Sequence, residues 1–111
     1  MICVTGASET LSSEVVRQLE GHEIPFRGAY FSERAAELAR ARGIEAVTID
    51  YNHPVTLRAA FQGCDAVFLL GPNALNQTEL ELNGVNAARA AGVRHIVKQS
   101  VMGAAEEAYI L

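Results

Sequence analysis

The stretch that decides the fold is Ile2-Cys3-Val4-Thr5-Gly6-Ala7-Ser8-Glu9-Thr10-Leu11-Ser12-Ser13. Ile2, Cys3 and Val4 make a short apolar run of the kind found in a strand covered on both faces. Leu11, Val15, Val16 and Leu19 then recur at helical spacing. The stretch therefore reads as strand, glycine turn and helix. A turn of this kind aims backbone N–H groups and the positive end of the helix at an anion such as a pyrophosphate, and glycines admit the phosphate closely. A G-x-x-G-x-x-G pattern begun at Gly6 requires glycine at positions 9 and 12, where this chain has Glu9 and Ser12. Glu9 gains about 0.3–1 kcal/mol from the helix dipole when no phosphate is present. With a pyrophosphate bound, the same carboxylate stands among like charges. Ser12 is the milder departure, being small and able to donate a hydrogen bond.

Downstream, the chain repeats the same alternation. Residues 24–31 form an apolar, aromatic run with Pro25 at its start, where a missing N–H is tolerated. Ser32 is placed to cap a helix carrying Ala35, Ala36, Leu38 and Ala39, which Gly43 closes. Residues 44–49 give a third strand ending at Asp50-Tyr51, and His53-Pro54 opens a short helix containing Leu57, Ala60 and Phe61. Residues 66–70 are the most apolar run and make the best central strand, bounded by Asp65 and Gly71-Pro72. A longer helix follows, its face read from Leu75, Leu82, Val85 and Ala88, before a fifth strand over residues 94–100. Five strands separated by four helices, in βα units of roughly 20–30 residues, predict a doubly wound parallel α/β sheet with right-handed crossovers. Residues 104–111 read as the start of another helix, with no sixth strand.

At 111 residues the chain is one domain. Half its residues are hydrophobic and a fifth are charged, which favours a packed core over disorder. Thirteen acids against nine bases, a net charge of −4 and no basic cluster argue against nucleic acid or an anionic membrane as partner. No signal peptide and no membrane-length apolar run is present, so the sequence points to a cytoplasmic protein with a small-molecule ligand. Its two cysteines, Cys3 and Cys64, make no disulfide framework and read as inert core thiols. His22, His53 and His95 lack spaced Cys, Asp or Glu partners, and no metal site is expected.

Taken together, five segments resemble the NmrA-like, atypical short-chain dehydrogenase/reductases, a family of NAD(P)H-dependent quinone and dye reductases and redox-sensing regulators. They are Val4-Thr5-Gly6-Ala7, Asp50 after the third strand, Gly63-Cys64-Asp65-Ala66-Val67-Phe68-Leu69-Leu70, Ala87-Ala88-Arg89-Ala90-Ala91-Gly92-Val93, and Arg94-His95-Ile96-Val97-Lys98 leading to Ser100. Their order and spacing, rather than any one segment, carry the resemblance.

The resemblance implies a dinucleotide-binding Rossmann-like portion without the family's substrate-binding half. Thr5, Gly6, Ser8, Glu9, Thr10 and Leu11 would form the pyrophosphate turn, Asp50 and Tyr51 would flank the adenine, and Leu70, Gly71 and Pro72 would line the nicotinamide side. The family's ribose-reading position falls on Phe31 or Ser32; Ser32 with Arg34 suits a 2′-phosphate and inclines the reading to NADP over NAD. Ser100 matches the family's serine after strand five, and Lys98 stands beside it in sequence as a second candidate to contact cofactor. Tyr109 has no lysine four residues on, so the Tyr-x-x-x-Lys proton-transfer pair is missing.

These features imply part of an NAD(P)H-dependent oxidoreductase acting on a small electron acceptor such as a quinone. Glu9 and Ser12 support an alternative, a non-catalytic module that senses NAD(P) or binds no cofactor. In either case the sheet side left bare predicts a homo-oligomer or a C-terminal half supplied elsewhere.

Overall fold

The computed structural model describes residues 1–7, 10–71, 75–99 and 106–110. At the centre of the sheet, β1 (Ile2–Thr5) pairs in parallel with β2 (Phe26–Tyr30) on one side and β4 (Ala66–Leu70) on the other. Beyond them lie β3 (Glu45–Thr48), parallel to β2, and β5 (His95–Gln99), parallel to β4. The order is β3-β2-β1-β4-β5-β6, so the chain winds outward to β3 and then crosses back past β1 to β4. That reversal opens a crevice at the carboxyl ends of β1 and β4, the place where such sheets take ligands.

Successive residues of a strand point to opposite faces, and β1 feeds two cores in this way. Val4 joins Ala7, Val16, Tyr30, Ala36, Ala39, Ile44 and Ala46 beneath α1 (Thr10–Gly21) and α2 (Glu33–Ala41). Cys3 joins a larger cluster with Leu57, Phe61, Val67, Leu69, Ala88 and Ile96 beneath α3 (Pro54–Phe61) and α4 (Gln77–Ala90). The doubly wound parallel sheet is thus present, with helices on both faces.

Local chemistry sets the helix ends. The Ser32 hydroxyl accepts the N–H of Ala35 at 3.2 Å and caps α2 as expected, while Pro54 occupies the first turn of α3. Two apolar faces differ from the sequence reading. Leu38 points outward from α2, 60% exposed, because Ala36 and Ala39 are the residues that meet the sheet. On α4, Leu82 is 54% exposed and Leu75 precedes the helix in the open. Ala88 and the half-buried Val85 face the core as expected, and the rest of that face is Leu80, Glu81, Gly84 and Ala87. Gly84 lets the helix lie flush: a Cβ there would stand 2.6 Å from Leu69 Cδ1 and 2.9 Å from Tyr51 Cε1.

The tail corrects a second expectation. Residues 106–110 are not helical but form β6 (Glu106–Ile110), antiparallel to β5, with His95 opposite Ile110 and Gln99 opposite Glu106. The open backbone edge of β5 supplies the hydrogen-bond partners that a lone helical turn would lack. Among the described residues no helix is long and apolar enough to cross a membrane.

Candidate functional site

The crevice is built around the end of β1. Gly6 has φ +61°, a left-handed conformation that a side chain would strain, and a Cβ there would approach Phe31 Cε2 to 3.1 Å and Leu70 Cδ2 to 3.3 Å. The next amide, of Ala7, donates to Ala29 O at 3.1 Å and ties the turn to β2.

On the β4 side the paired register ends at Val4 and Phe68, and the Thr5 side chain takes over. Its hydroxyl accepts the Leu70 N–H at 2.8 Å and lies 3.2 Å from Phe68 O, to which it donates. Tyr51 completes the knot, its hydroxyl 3.0 Å from Leu70 O and 3.2 Å from Thr5 Oγ1. Asn83 on α4 holds the Tyr51 backbone by donating to its carbonyl at 3.0 Å. Burial raises the Tyr51 phenol well above its ordinary range, so it serves as a fixed neutral donor rather than a proton shuttle. Ser12, fully buried, donates to Thr5 O at 2.7 Å. The residue in the third glycine position therefore binds α1 to β1 instead of holding them apart.

At the ends of β2 and β3 lies a cleft of about 620 Å³ lined by Phe31, Thr48, Ile49, Asp50, Tyr51 and Thr56, among others. The Phe31 and Tyr51 rings meet at its base, 5.9 Å between centroids. Asp50 is exposed, and its carboxyl is held below the usual range chiefly by the Asn52 N–H at 2.9 Å and next by His53 Nδ1 at 2.9 Å. Asp50 is thus an anionic acceptor at the lip of the cleft. Ser32 and Arg34 lie at the exposed start of α2, while Glu33 is engaged by Thr48 and Arg40.

A third group was missed in the sequence. Glu81 is 4% exposed on α4, with Oε1 3.1 Å from Lys98 Nζ. Among the described residues its other oxygen, Oε2, has no hydrogen-bond partner, and it presses on Gly71, where a Cβ would lie 2.0 Å away. Gly71 at the mouth of β4 is therefore the residue that leaves room for a buried carboxylate. The spacing of Glu81, Gly84 and Ala88 on one helical face was the available signal. Lys98, a sequence candidate, is placed on Glu81.

Thr5, Gly6, Phe31, Ser32, Arg34, Asp50, Tyr51, Leu70 and Gly71 all fall at the carboxyl edge of the sheet, from the Gly6 turn to the Asp50 cleft. Thr10 and Leu11 begin α1, but their side chains lie outside the described residues, as do Ser8, Glu9, Pro72, Ser100 and the side chain of Tyr109. Among the described residues no group of His, Cys, Asp and Glu is placed to hold a metal.

A family whose members are described as NAD(P)H-binding matches residues 6–109. The chain belongs to this NAD(P)H-binding family. It is 36% identical over 107 residues to an NAD(P)H azoreductase from Xenophilus azovorans, covering 96% of this chain and 37% of that protein. Quinone oxidoreductase 2 of Escherichia coli is 30% identical over 108 residues, covering 94% and 37%. Among solved structures, the Citrobacter sp. triphenylmethane reductase complexed with NADP(H) superposes with a TM-score of 0.80 at 30% identity, covering 89% of this chain and 37% of the other.

These relatives uphold the resemblance to NmrA-like atypical short-chain dehydrogenase/reductases. This member of the NAD(P)H-binding family spans a little over a third of the length of the proteins it matches.

Proposed function

We propose that the chain is the dinucleotide-binding portion of an NAD(P)H-dependent oxidoreductase whose acceptor is a small electron-poor molecule such as a quinone. The observation that carries this reading is the crevice at the strand-order reversal, where the left-handed Gly6 turn meets a cleft edged by Asp50 and Phe31. In this reading the Gly6 turn and the start of α1 receive the pyrophosphate, Asp50, Tyr51 and Phe31 surround the adenosine, and Leu70 and Gly71 border the nicotinamide. Bound NAD(P)H supplies a hydride. The protein's own share is to orient the nucleotide and, with Thr5 and Tyr51, to hold the crevice at fixed width.

Ser32 and Arg34 incline the site to NADP: the Ser32 oxygen already accepts from Ala35, leaving its O–H to donate, and Arg34 adds an exposed cation. A reductase and an oxidoreductase bound to NADP(H) or NADPH among the structural relatives support the same choice.

Calorimetric titration with NADPH and NADH tests the reading. Micromolar binding, tighter for NADPH and strengthened by Glu9→Gly, is the expected result. No heat at millimolar nucleotide, for either the parent or Glu9→Gly, overturns it.

A further inference from the structure

The edge of the sheet away from the crevice holds a group that nucleotide binding does not use. Cys64 lies in the turn between α3 and β4, and Cys3 lies in β1; both are buried in the core beneath α3. Arg27 begins beside Cys3, its register partner across the β1–β2 ladder. The Arg27 guanidinium is fixed by three oxygens: Nε lies 2.6 Å from Glu45 Oε2, and Nη1 lies 2.6 Å from Ala60 O and 2.8 Å from Gln62 O. The same Nη1 stands 3.6 Å from Cys64 Sγ. Cys3 lies in the same buried cluster as Cys64, whose sulfur also stands 3.9 Å from Ala60 O.

Both cysteines are buried, at 0% and 4% exposure, but the Cys64 sulfur has a cation beside it and not apolar groups alone. A buried cysteine among apolar groups has its ionisation suppressed, whereas a sulfur facing a cation and a hydrogen-bond donor is stabilised as thiolate. The two cysteines divide accordingly. Cys64 is lowered to about 7, first by the Cys3 thiol and then by Arg27, while Cys3 is pushed well above the ordinary thiol range. The charged groups around the pair are Arg27 from β2, Glu45 from β3, which opposes the lowering, and the amino group of Met1, which assists it.

We propose that Cys64 and Cys3 are a reversible dithiol–disulfide site that reacts with hydroperoxides, with Cys64 as the attacking sulfur, Arg27 as its counter-ion and Cys3 as the resolving thiol. In the first step the Cys64 thiolate attacks the outer peroxide oxygen; an S–O bond forms, the O–O bond breaks, and the alkoxide or hydroxide leaving group takes up a proton. The product is a sulfenic acid on Cys64. In the second step Cys3 sulfur attacks Cys64 sulfur, losing its proton, and the sulfenic hydroxyl departs as water. Two electrons pass from the two thiols to one hydroperoxide, giving a disulfide, one alcohol or water from the peroxide, and one further water. An external dithiol reverses the change by exchange. The site works independently of the crevice, so its test does not depend on nucleotide binding.

The test treats the reduced protein with hydrogen peroxide at pH 7 without nucleotide, then alkylates it after unfolding. The chain has only two cysteines, so intact mass reads the outcome without ambiguity. The expected product is a monomer lighter by two hydrogens that takes no alkyl group and is restored by a dithiol. Cys3→Ser is expected to accumulate a sulfenic acid at Cys64 that dimedone traps. Arg27→Gln should slow alkylation of Cys64 at pH 7 by about tenfold and shift its rate–pH midpoint toward the ordinary thiol value, with Arg27→Lys retaining most of the rate.

Two free thiols after peroxide in the parent protein, a disulfide formed only between molecules, or a sulfenic acid trapped on Cys3 instead of Cys64 would each overturn the proposal. The parent measurement stands even if a variant fails to fold.

Discussion

The Ser12 hydroxyl donates to the carbonyl oxygen of Thr5 across 2.7 Å, joining the first helix to the first strand at the position where the phosphate-binding fingerprint has a glycine. Ser12→Ala removes that bond inside the core and is expected to cost about 1–2 kcal/mol, read as a lower urea midpoint with an unchanged slope. Because the hydroxyl points back into β1, Ser12→Gly should not tighten nucleotide binding, whereas Glu9→Gly should. A gain from Ser12→Gly in calorimetry would show that Ser12 obstructs the pyrophosphate.

The Tyr51 phenol titrates above its unfolded value of about 10, so the native state holds its proton where the unfolded chain has begun to lose it. The stabilising effect is complete below about pH 10 and declines as pH rises above that. Tyr51→Phe is expected to lose roughly 1–2 kcal/mol at neutral pH through its bonds to Leu70 and Thr5. It should also flatten the alkaline fall in stability, leaving the shares of Tyr30 and Cys3, which are raised as well. Urea unfolding at a series of pH values from 8 upward measures both effects, and an unchanged alkaline slope in Tyr51→Phe would contradict the assignment.

Glu81 and Lys98 form an ion pair whose acidic end is buried and whose basic end is only partly so. Lys98→Met strands the carboxylate and is expected to cost about 3 kcal/mol, the lower part of the range for a broken buried pair because Lys98 retains some solvent. Adding Glu81→Leu should recover most of that loss. Denaturation of the two single variants and the double variant measures the coupling, and additivity would mean the pair contributes nothing as a pair.

Gly84→Ala pushes a methyl group into Leu69 and Tyr51, both buried. Alanine favours a helix by up to about 1 kcal/mol over glycine, yet the overpacking costs about 1–3 kcal/mol. A net loss of thermal stability is the expected sign, and a gain would show that α4 can lift from the sheet.

The parts of this structure that sequence made visible are those whose cause is local. Ser32 as a helix cap, Pro54 in a first turn, and the strand–turn–helix opening at Gly6 depend on neighbours a few residues away. On α4, Val85 and Ala88 were legible but Leu82 was misplaced, because large side chains catch the eye while contact with the sheet is also set by the small residues Gly84 and Ala87. β6 was misread for a different reason: residues 106–110 carry a mixed local preference, and the edge of β5 decides between helix and strand. Within the site, Thr5 and Leu70 are 65 positions apart, and Tyr51 and Thr5 are 46 apart. No periodicity encodes such a bond. Glu81 was hidden in the same way, since a charged residue on a helix reads as solvated until Lys98 is seen to face it.

One bond at the crevice also makes a natural gauge. The amide of Leu70 is tied to the Thr5 hydroxyl rather than to the backbone of the neighbouring strand, so its exchange is expected to follow local opening of this buried corner, in which that side chain turns away, without the strand ladder unzipping. Its hydrogen-exchange rate therefore counts how often the crevice mouth opens, separately from the global unfolding that governs the amides deeper in β4. A molecule seated between Gly6 and Gly71 would slow that one proton first, giving occupancy of the crevice a spectroscopic signature at a single backbone position.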